Sequence, residues 1–370
     1  MKKLLYITTD SWWDTDVTII PQLATGYEIE VFVASETDMK KNKYAIKEVP
    51  PGVILHDVHF VKTQYNPLML FTSLVYLVKL LIALPRADYI FWVIDGIVYY
   101  SLPFSFFCPI NKTILSLHNY EEHKGGKRQL FNLKNFLLRK FKNFHFHSDI
   151  QRGLFLQDYN DKVTFATNMP LKFFGTPSIS IPNLFPKNQR IFLFFGMVRE
   201  YKRPDMFLKC ANLFPNANFI IVGYTDNPSK YNEYISQTKG NLYVNFSFVS
   251  NQEIADLFSL ADYLILPYDD ATQSGPLLTS MAYNVPIIAS DQPIFRRMIS
   301  DKVDGYIFKA GDQNSLNDCV EKAIKMSEIE YIRMRNLQKE SVEKYKKTTN
   351  FLENFNCFVE NKLKIDDEKN

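Results

Sequence analysis

Gln273-Ser274-Gly275-Pro276-Leu277 combines the residue types that hold an anion with backbone alone. Glycine followed by proline is how a helix starts, because the N–H that proline lacks would have had no partner in the first helical turn. The product is a helix N-terminus whose free N–H groups and dipole attract negative charge, most often phosphate. A polar turn, Asp269-Asp270-Ala271-Thr272, precedes it. Upstream, Arg199 and Lys202 lie between an apolar run at 191–195 and a helix that Pro204 opens. An isolated Arg-x-x-Lys is usually a solvated pair. With a helix N-terminus in the equivalent loop of a later strand, the two cations have an anion to share.

Those loops need strands to carry them. Apolar runs at 263–267 and 285–289 flank the serine-glycine turn, and a further run lies at 218–222. Ser250 and Glu253 fit a capping box, with Ile254, Leu257, Phe258 and Ala261 as the buried stripe behind it. A strand at 305–308, a helix at 315–326 and a charged helical region at 331–364 complete this half. In the first half, strand-like runs at 4–8, 28–34, 55–61, 89–94, 113–117 and 144–147 alternate with longer stretches. Alternation of this kind predicts parallel sheets with crossover helices, an α/β fold whose ligand-binding loops gather at the carboxyl edge of the strands.

With 370 residues and 46% hydrophobic content, the chain suits two cores. We expect domains at 1–185 and 186–345, a proline-rich linker at about 172–190, and a C-terminal helix and tail at 346–370 that packs back on the first domain. A net charge of +3 gives no sign of nucleic-acid binding. Four dispersed cysteines (Cys108, Cys210, Cys319 and Cys357) fit neither a disulfide framework nor a zinc site and point to a reducing cytoplasm. Residues 68–84 are short of a bilayer span and read as a buried helix. Between Lys124 and Lys142, seven basic residues and no acidic one alternate with apolar residues, a pattern that suits contact with an anionic membrane surface.

The second half resembles the C-terminal domain of GT-B glycosyltransferases of the family 4 type, also called group 1. The likeness rests on Phe194-Phe-Gly196 with Arg199 and Lys202, on Ala261-Asp262 leading to Leu266-Pro267-Tyr268, and on Gln273-Ser-Gly275 with Asn284-Val-Pro286. In the first half it is thinner, resting on Ser116-Leu-His118-Asn119 with His123 and Gly125, and on His147-Ser148. The resemblance implies a GT-B architecture, two Rossmann-like domains facing across a cleft. It further implies a retaining transfer of sugar from a UDP- or GDP-sugar co-substrate, with no other cofactor and no metal, to a glycan or polyprenyl-linked acceptor of bacterial surface polysaccharide synthesis.

On this reading Arg199 and Lys202 stabilise the leaving group and His118 contacts the sugar. Gly196, Tyr268, Asp269, Gln273, Ser274, Gly275, Pro276, Leu277 and Thr279 bind the donor, and Ser11, Trp12, Trp13, Glu121 and His123 the acceptor. The sequence departs from the family where two glutamates flank the donor loop: those positions are Ala271 and Thr279, so Thr279 offers ribose a single hydroxyl and Asp269 or Asp270 serves the sugar. The family's amino-terminal glycine-rich loop is replaced by Thr9-Asp-Ser-Trp-Trp-Asp14, whose tryptophans either stack on a ligand or pack. The rival readings are a nucleotide-sugar epimerase of the same fold and a non-catalytic nucleotide-sugar-binding subunit of a glycan assembly complex. A cytoplasmic protein, peripheral at the inner face of the plasma membrane, is expected.

Overall fold

Strands covered on both faces by helices must be apolar along their whole length, and the continuous runs Tyr-Ile-Phe-Trp-Val and Ile-Phe-Leu-Phe-Phe form such strands. The structure, a computed structural model, describes residues 1–36, 49–60, 67–94, 101–117, 120, 131–178 and 189–367. The chain divides into two compact units, Met1–Pro170 with Thr348–Asn370, and Leu171–Lys347.

In the first unit β1 (Lys2–Thr9), β2 (Tyr27–Glu36), β3 (Ile54–Phe60), β4 (Tyr89–Val93), β5 (Thr113–Leu117), β6 (Asn143–Phe146) and β7 (Val163–Ala166) pair in the order β3-β2-β1-β4-β5-β6-β7, and every pairing is parallel. Helices α1 (Trp13–Ala24), α2 (Pro67–Ala83), α3 (Ser101–Phe107), α4 (Phe131–Lys140) and α5 (Asp149–Asp158) make the crossovers. Tyr76 and Leu80 of α2, Phe104 of α3, Leu137 and Leu138 of α4 and Phe155 of α5 share one core with alternate residues of the sheet. The opposite face packs against Ile19, Ile20 and Leu23 of α1.

The second unit repeats the plan. Strands β8 (Ile191–Phe195), β9 (Asn218–Val222), β10 (Leu242–Asn245), β11 (Tyr263–Leu266), β12 (Ile287–Ser290) and β13 (Gly305–Phe308) pair in parallel, in the order β10-β9-β8-β11-β12-β13. Its helices are α6 (Pro204–Leu213), α7 (Asn232–Ser236), α8 (Asn251–Leu260), α9 (Gly275–Ala282), α10 (Pro293–Met298), α11 (Gln313–Lys325) and α12 (Glu328–Lys347). The capping box forms as expected, Glu253 N–H donating to Ser250 Oγ at 3.2 Å and Ser250 N–H to Glu253 Oε2 at 2.7 Å. In each sheet the strand order reverses once, between β1 and β4 and between β8 and β11, and at such a switch point adjacent loops part to leave a crevice. The edge strands β7 and β10 escape a reading by apolar runs because their burial is only partial.

The charged tail does not continue as one helix. It breaks at Thr348-Thr349-Asn350, where Asn350 Oδ1 accepts from Glu353 N–H at 3.2 Å, and α13 (Phe351–Asp367) then packs on the first unit beside α1. Phe351, Phe355 and Phe358 are buried there; Phe355 meets Tyr27, Tyr89 and Phe91 edge-on, and Tyr27 donates its hydroxyl proton to Asn356 Oδ1 at 2.6 Å. Removing a fully buried ring leaves a cavity, so Phe355→Ala is expected to lower unfolding free energy by about 3–5 kcal/mol in urea titration monitored by fluorescence. A loss below about 1 kcal/mol would mean that α13 is not part of this core.

Candidate functional site

The loops after β8 and β11 leave the second sheet at its switch point, and they carry the cations and the helix N-terminus singled out in the sequence. Ser274 caps α9, its Oγ accepting from Leu277 N–H at 3.2 Å while its carbonyl accepts from Leu278 N–H. Pro276 has no N–H, so the Gly275 N–H is the unused donor of this helix end among the described residues.

Gly196, just past β8, has φ +108, and a Cβ built on it would lie 3.1 Å from Pro276 Cγ and 3.5 Å from Lys202 Nζ. Glycine therefore lets the Lys202 ammonium and the first turn of α9 close on the same point. Gly223, past β9 with φ +152, holds the other side; a Cβ there would fall 1.8 Å from Gly196 O. Lys202 is 8% exposed, sits 5.2 Å from the centroid of the Tyr268 ring, and has no carboxylate partner among the described residues. Burial, reinforced by the neighbouring Arg199 charge, pushes its pKa down to about 8. Arg199 is exposed at the mouth. A cation kept dry, unpaired and beside a helix N-terminus is a site in want of an anion.

The acidic residues are placed differently from expectation. Asp269 is held by Arg203, Nη1 to Oδ1 at 3.2 Å, and Arg203 also forks onto Asp205, with two contacts of 3.0 Å. Arg203 adopts φ 51, ψ 51, uncommon for a non-glycine residue, in order to end one turn and begin α6. The Asp269 N–H donates to Tyr201 O at 2.7 Å, so the two loops are stitched together. Thr279 is engaged within its own helix. It is 1% exposed and its hydroxyl donates to Gly275 O at 3.0 Å, so it stabilises α9 from within and has no hydroxyl proton to offer a ribose. Tyr268 is buried, its hydroxyl pKa raised by desolvation, and it backs Lys202 instead of facing solvent. Leu277 is buried in the core, and Gln273, half-buried, lies in the turn before the cap.

Two neighbours went unnoticed in the sequence. Lys172 Nζ would lie 3.8 Å from a Cβ on Gly275, and Arg203 organises both loops. Lys172 belongs to an irregular stretch read as linker, which carries no periodic signal; Arg203 is masked by standing beside Lys202.

In the first unit, Ser11 and Trp12 form a turn after β1, at that sheet's switch point. Ser11 Oγ lies 2.7 Å from Thr9 Oγ1, and the half-buried Trp12 ring lies parallel to His147, centroids 6.4 Å apart. Trp13, at 4% exposure, belongs to the core beneath α1, the packing alternative open to it in the sequence. His118, Glu121 and His123 lie outside the described residues. Among the described residues no group of three or more His, Cys, Asp or Glu could hold a metal ion.

Residues 176–344 match the sequence model of the family Glycosyl transferases group 1. Alpha-monoglucosyldiacylglycerol synthase of Acholeplasma laidlawii is 27% identical over 112 residues, 30% of this chain and only 28% of that protein's length. Among solved structures, Anabaena HepE in complex with UDP and glucose superposes with TM-score 0.71 at 12% identity, covering 98% of this chain and 100% of that one. Sucrose-phosphate synthase from Thermosynechococcus elongatus superposes with TM-score 0.68 at 14% identity, covering 100% and 98%. The α/β fold of GT-B type and the resemblance to group 1 glycosyltransferases, both read from the sequence, are borne out.

Two stability measurements probe the site without a ligand. Gly223→Ala must move the Gly196 loop as well as hold a strained φ, and is expected to cost ~1–3 kcal/mol in thermal unfolding. Lys202→Met removes a buried charge. Because the folded-state pKa is about 8, below the ordinary 10.5, the unfolded chain holds the extra proton between those values. The burial penalty is therefore full below pH 8 and is relieved as pH rises toward 10.5. Lys202→Met is expected to raise the Tm by a few degrees at neutral pH, the gain shrinking at alkaline pH. A lower Tm at neutral pH would show that the charge is paired.

Proposed function

We propose that the chain is a glycosyltransferase that takes the sugar of a nucleoside diphosphate sugar, with retention at the anomeric carbon, and passes it to a glycan or lipid-linked glycan acceptor. The carrying observation is the unpaired Lys202 ammonium, buried against the N-terminus of α9 with Arg199 at the mouth. In this reaction the bond between the anomeric carbon and the phosphate oxygen breaks, and the electron pair leaves with the diphosphate. Lys202, Arg199 and the Gly275 N–H meet that growing charge, in fixed positions that need no reorganisation. With their help the chain's own residues neutralise the leaving group, so no metal ion is required in the scheme. The Asp269 carboxylate, held by Arg203, is a positioning group and not a nucleophile; retention rests on the family resemblance.

Solved structures of similar fold contain UDP or UDP-glucose, as in HepE and TarM, which supports a UDP-sugar as the donor. The Acholeplasma laidlawii relative is named for a glucosyl diacylglycerol, which supports a lipid acceptor. One observation favours the rival of a binding subunit without turnover, namely that Thr279 and the buried Ala271 supply no acidic contact where the family has two.

Following UDP or GDP release from a panel of nucleotide sugars in the presence of lysate acceptors tests the proposal, with product mass naming the sugar. Lys202→Ala and Arg199→Ala are each expected to lower kcat by roughly 10²–10³. Full turnover in either variant removes the assigned role. Donor binding without release under any acceptor selects the binding subunit, and conversion of donor with no acceptor present selects an epimerase. The pH profile carries a sign: kcat/KM is expected to fall as pH rises past about 8, where free Lys202 loses its proton. Bound diphosphate restores that proton, so kcat falls at higher pH than kcat/KM does.

A further inference from the structure

An amphipathic helix normally hides its apolar side, and a helix apolar all round is normally enclosed. Helix α2 is apolar all round and only half enclosed. Tyr76, Leu80 and Ala83 enter the core, while Phe71 (62% exposed), Leu74 (58%), Val78 (47%) and Ile82 (63%) face solvent. At 100° per residue these four fall within about 80° of one another, on the side opposite the buried three. Helix α3, which packs beside α2, adds Phe106 (63%) and Phe107 (58%). The exposed large apolar residues of the second unit, such as Leu213, Phe248, Val303 and Ile329, are by contrast scattered along its sequence.

The helices that form and border this surface carry charge of one sign. Helices α2, α3 and α4 contain no aspartate or glutamate. Lys79 is exposed at the rim of the α2 stripe, and Arg139 is exposed on α4. Lys140 lays its ammonium 4.8 Å from the centroid of Phe106 and donates to Ser105 O, which ties the basic end of α4 to the aromatic end of α3. The basic stretch noted between Lys124 and Lys142 thus contributes, through its described part, a positive border to an apolar face made by other helices. Among the described residues no helix is long and apolar enough to cross a membrane. The 17 residues of α2 span about 25 Å, short of the ~30 Å hydrocarbon layer, so the helix lies along a bilayer and not through it.

We propose that the outer face of α2 and α3 is a membrane-docking surface, which inserts its apolar side chains at the boundary of an anionic bilayer while Lys79, Arg139 and Lys140 meet the lipid phosphates. Apolar area sets the strength of such binding and the basic rim sets its preference for anionic lipid. The inference stands on the first unit alone and does not depend on the donor chemistry of the second.

Flotation of the full chain with phosphatidylcholine vesicles, with and without phosphatidylglycerol, tests it. Wild-type protein is expected to float with phosphatidylglycerol vesicles and to be released in part by high salt. The double variant Phe71→Ser/Ile82→Ser is expected to lose roughly tenfold or more of that partition with its unfolding curve unchanged, since both side chains are already in water. Lys79→Glu is expected to weaken binding only where phosphatidylglycerol is present. Absence of wild-type flotation, or flotation of the double variant equal to wild type, overturns the proposal. So does a wild-type dimer, seen by sedimentation equilibrium, that the double variant dissolves without altering flotation, for the stripe would then belong to a second copy. Val78→Ser serves as an independent stripe variant if the double variant unfolds early.

Discussion

One buried ammonium group in the second unit is the constraint around which its neighbouring loops are arranged. Lys202 is dry, faces an aromatic ring and has no carboxylate partner among the described residues. Its neighbours are arranged so that the shortfall is made up from outside the chain. Gly196 and Gly223 have no side chains where side chains would collide, Pro276 and Ser274 shape the helix end without occupying it, and Arg203 holds the carboxylates of Asp205 and Asp269. Burial, together with the Arg199 charge, pushes the Lys202 pKa down to about 8, as desolvation without compensation does to a cation.

Much of this plan could be read in the sequence because the residues concerned have local signatures. Parallel strands enclosed on both faces are predominantly apolar, so β5, β8, β9 and β13 appear as short, mostly apolar runs with the bounds the structure gives them. Ser250 with Glu253 and Ser274 with Pro276 declare their helices through capping chemistry that acts over three or four residues. What the sequence hides is determined at long range. Arg203 and Asp269 are 66 positions apart, and Lys172 meets Gly275 across a stretch with no periodicity. Thr279 is the complementary case. A hydroxyl in a motif position looks available to a ligand until the helix puts the Gly275 carbonyl within its reach.

The two tryptophans beside β1 make the same point within adjacent residues. Trp13 opens α1 and turns into the core, whereas Trp12, in the preceding turn, stays half-buried against His147. Residue type and neighbours in sequence are nearly identical for the two, and only the phase of the helix separates them.

Phase also explains why composition alone misleads about α2. Seventeen residues, all apolar but Thr72, Ser73 and Lys79, satisfy a core helix or a surface helix equally well, because hydropathy sums over all directions. Direction enters only through the sheet, which can cover about half of a cylinder resting on it. The inner half of α2 meets Trp92 and Phe32 across a shared core, so the fold needs that half apolar. Nothing in that packing asks the same of Phe71, Leu74, Val78 and Ile82, and on a helix presented only to water those positions would be the ones to carry charge. Their apolarity is therefore a requirement additional to folding, of the same kind as the unpaired charge of Lys202: each is a local cost that the isolated chain has no reason to bear and that a second surface or ligand would relieve.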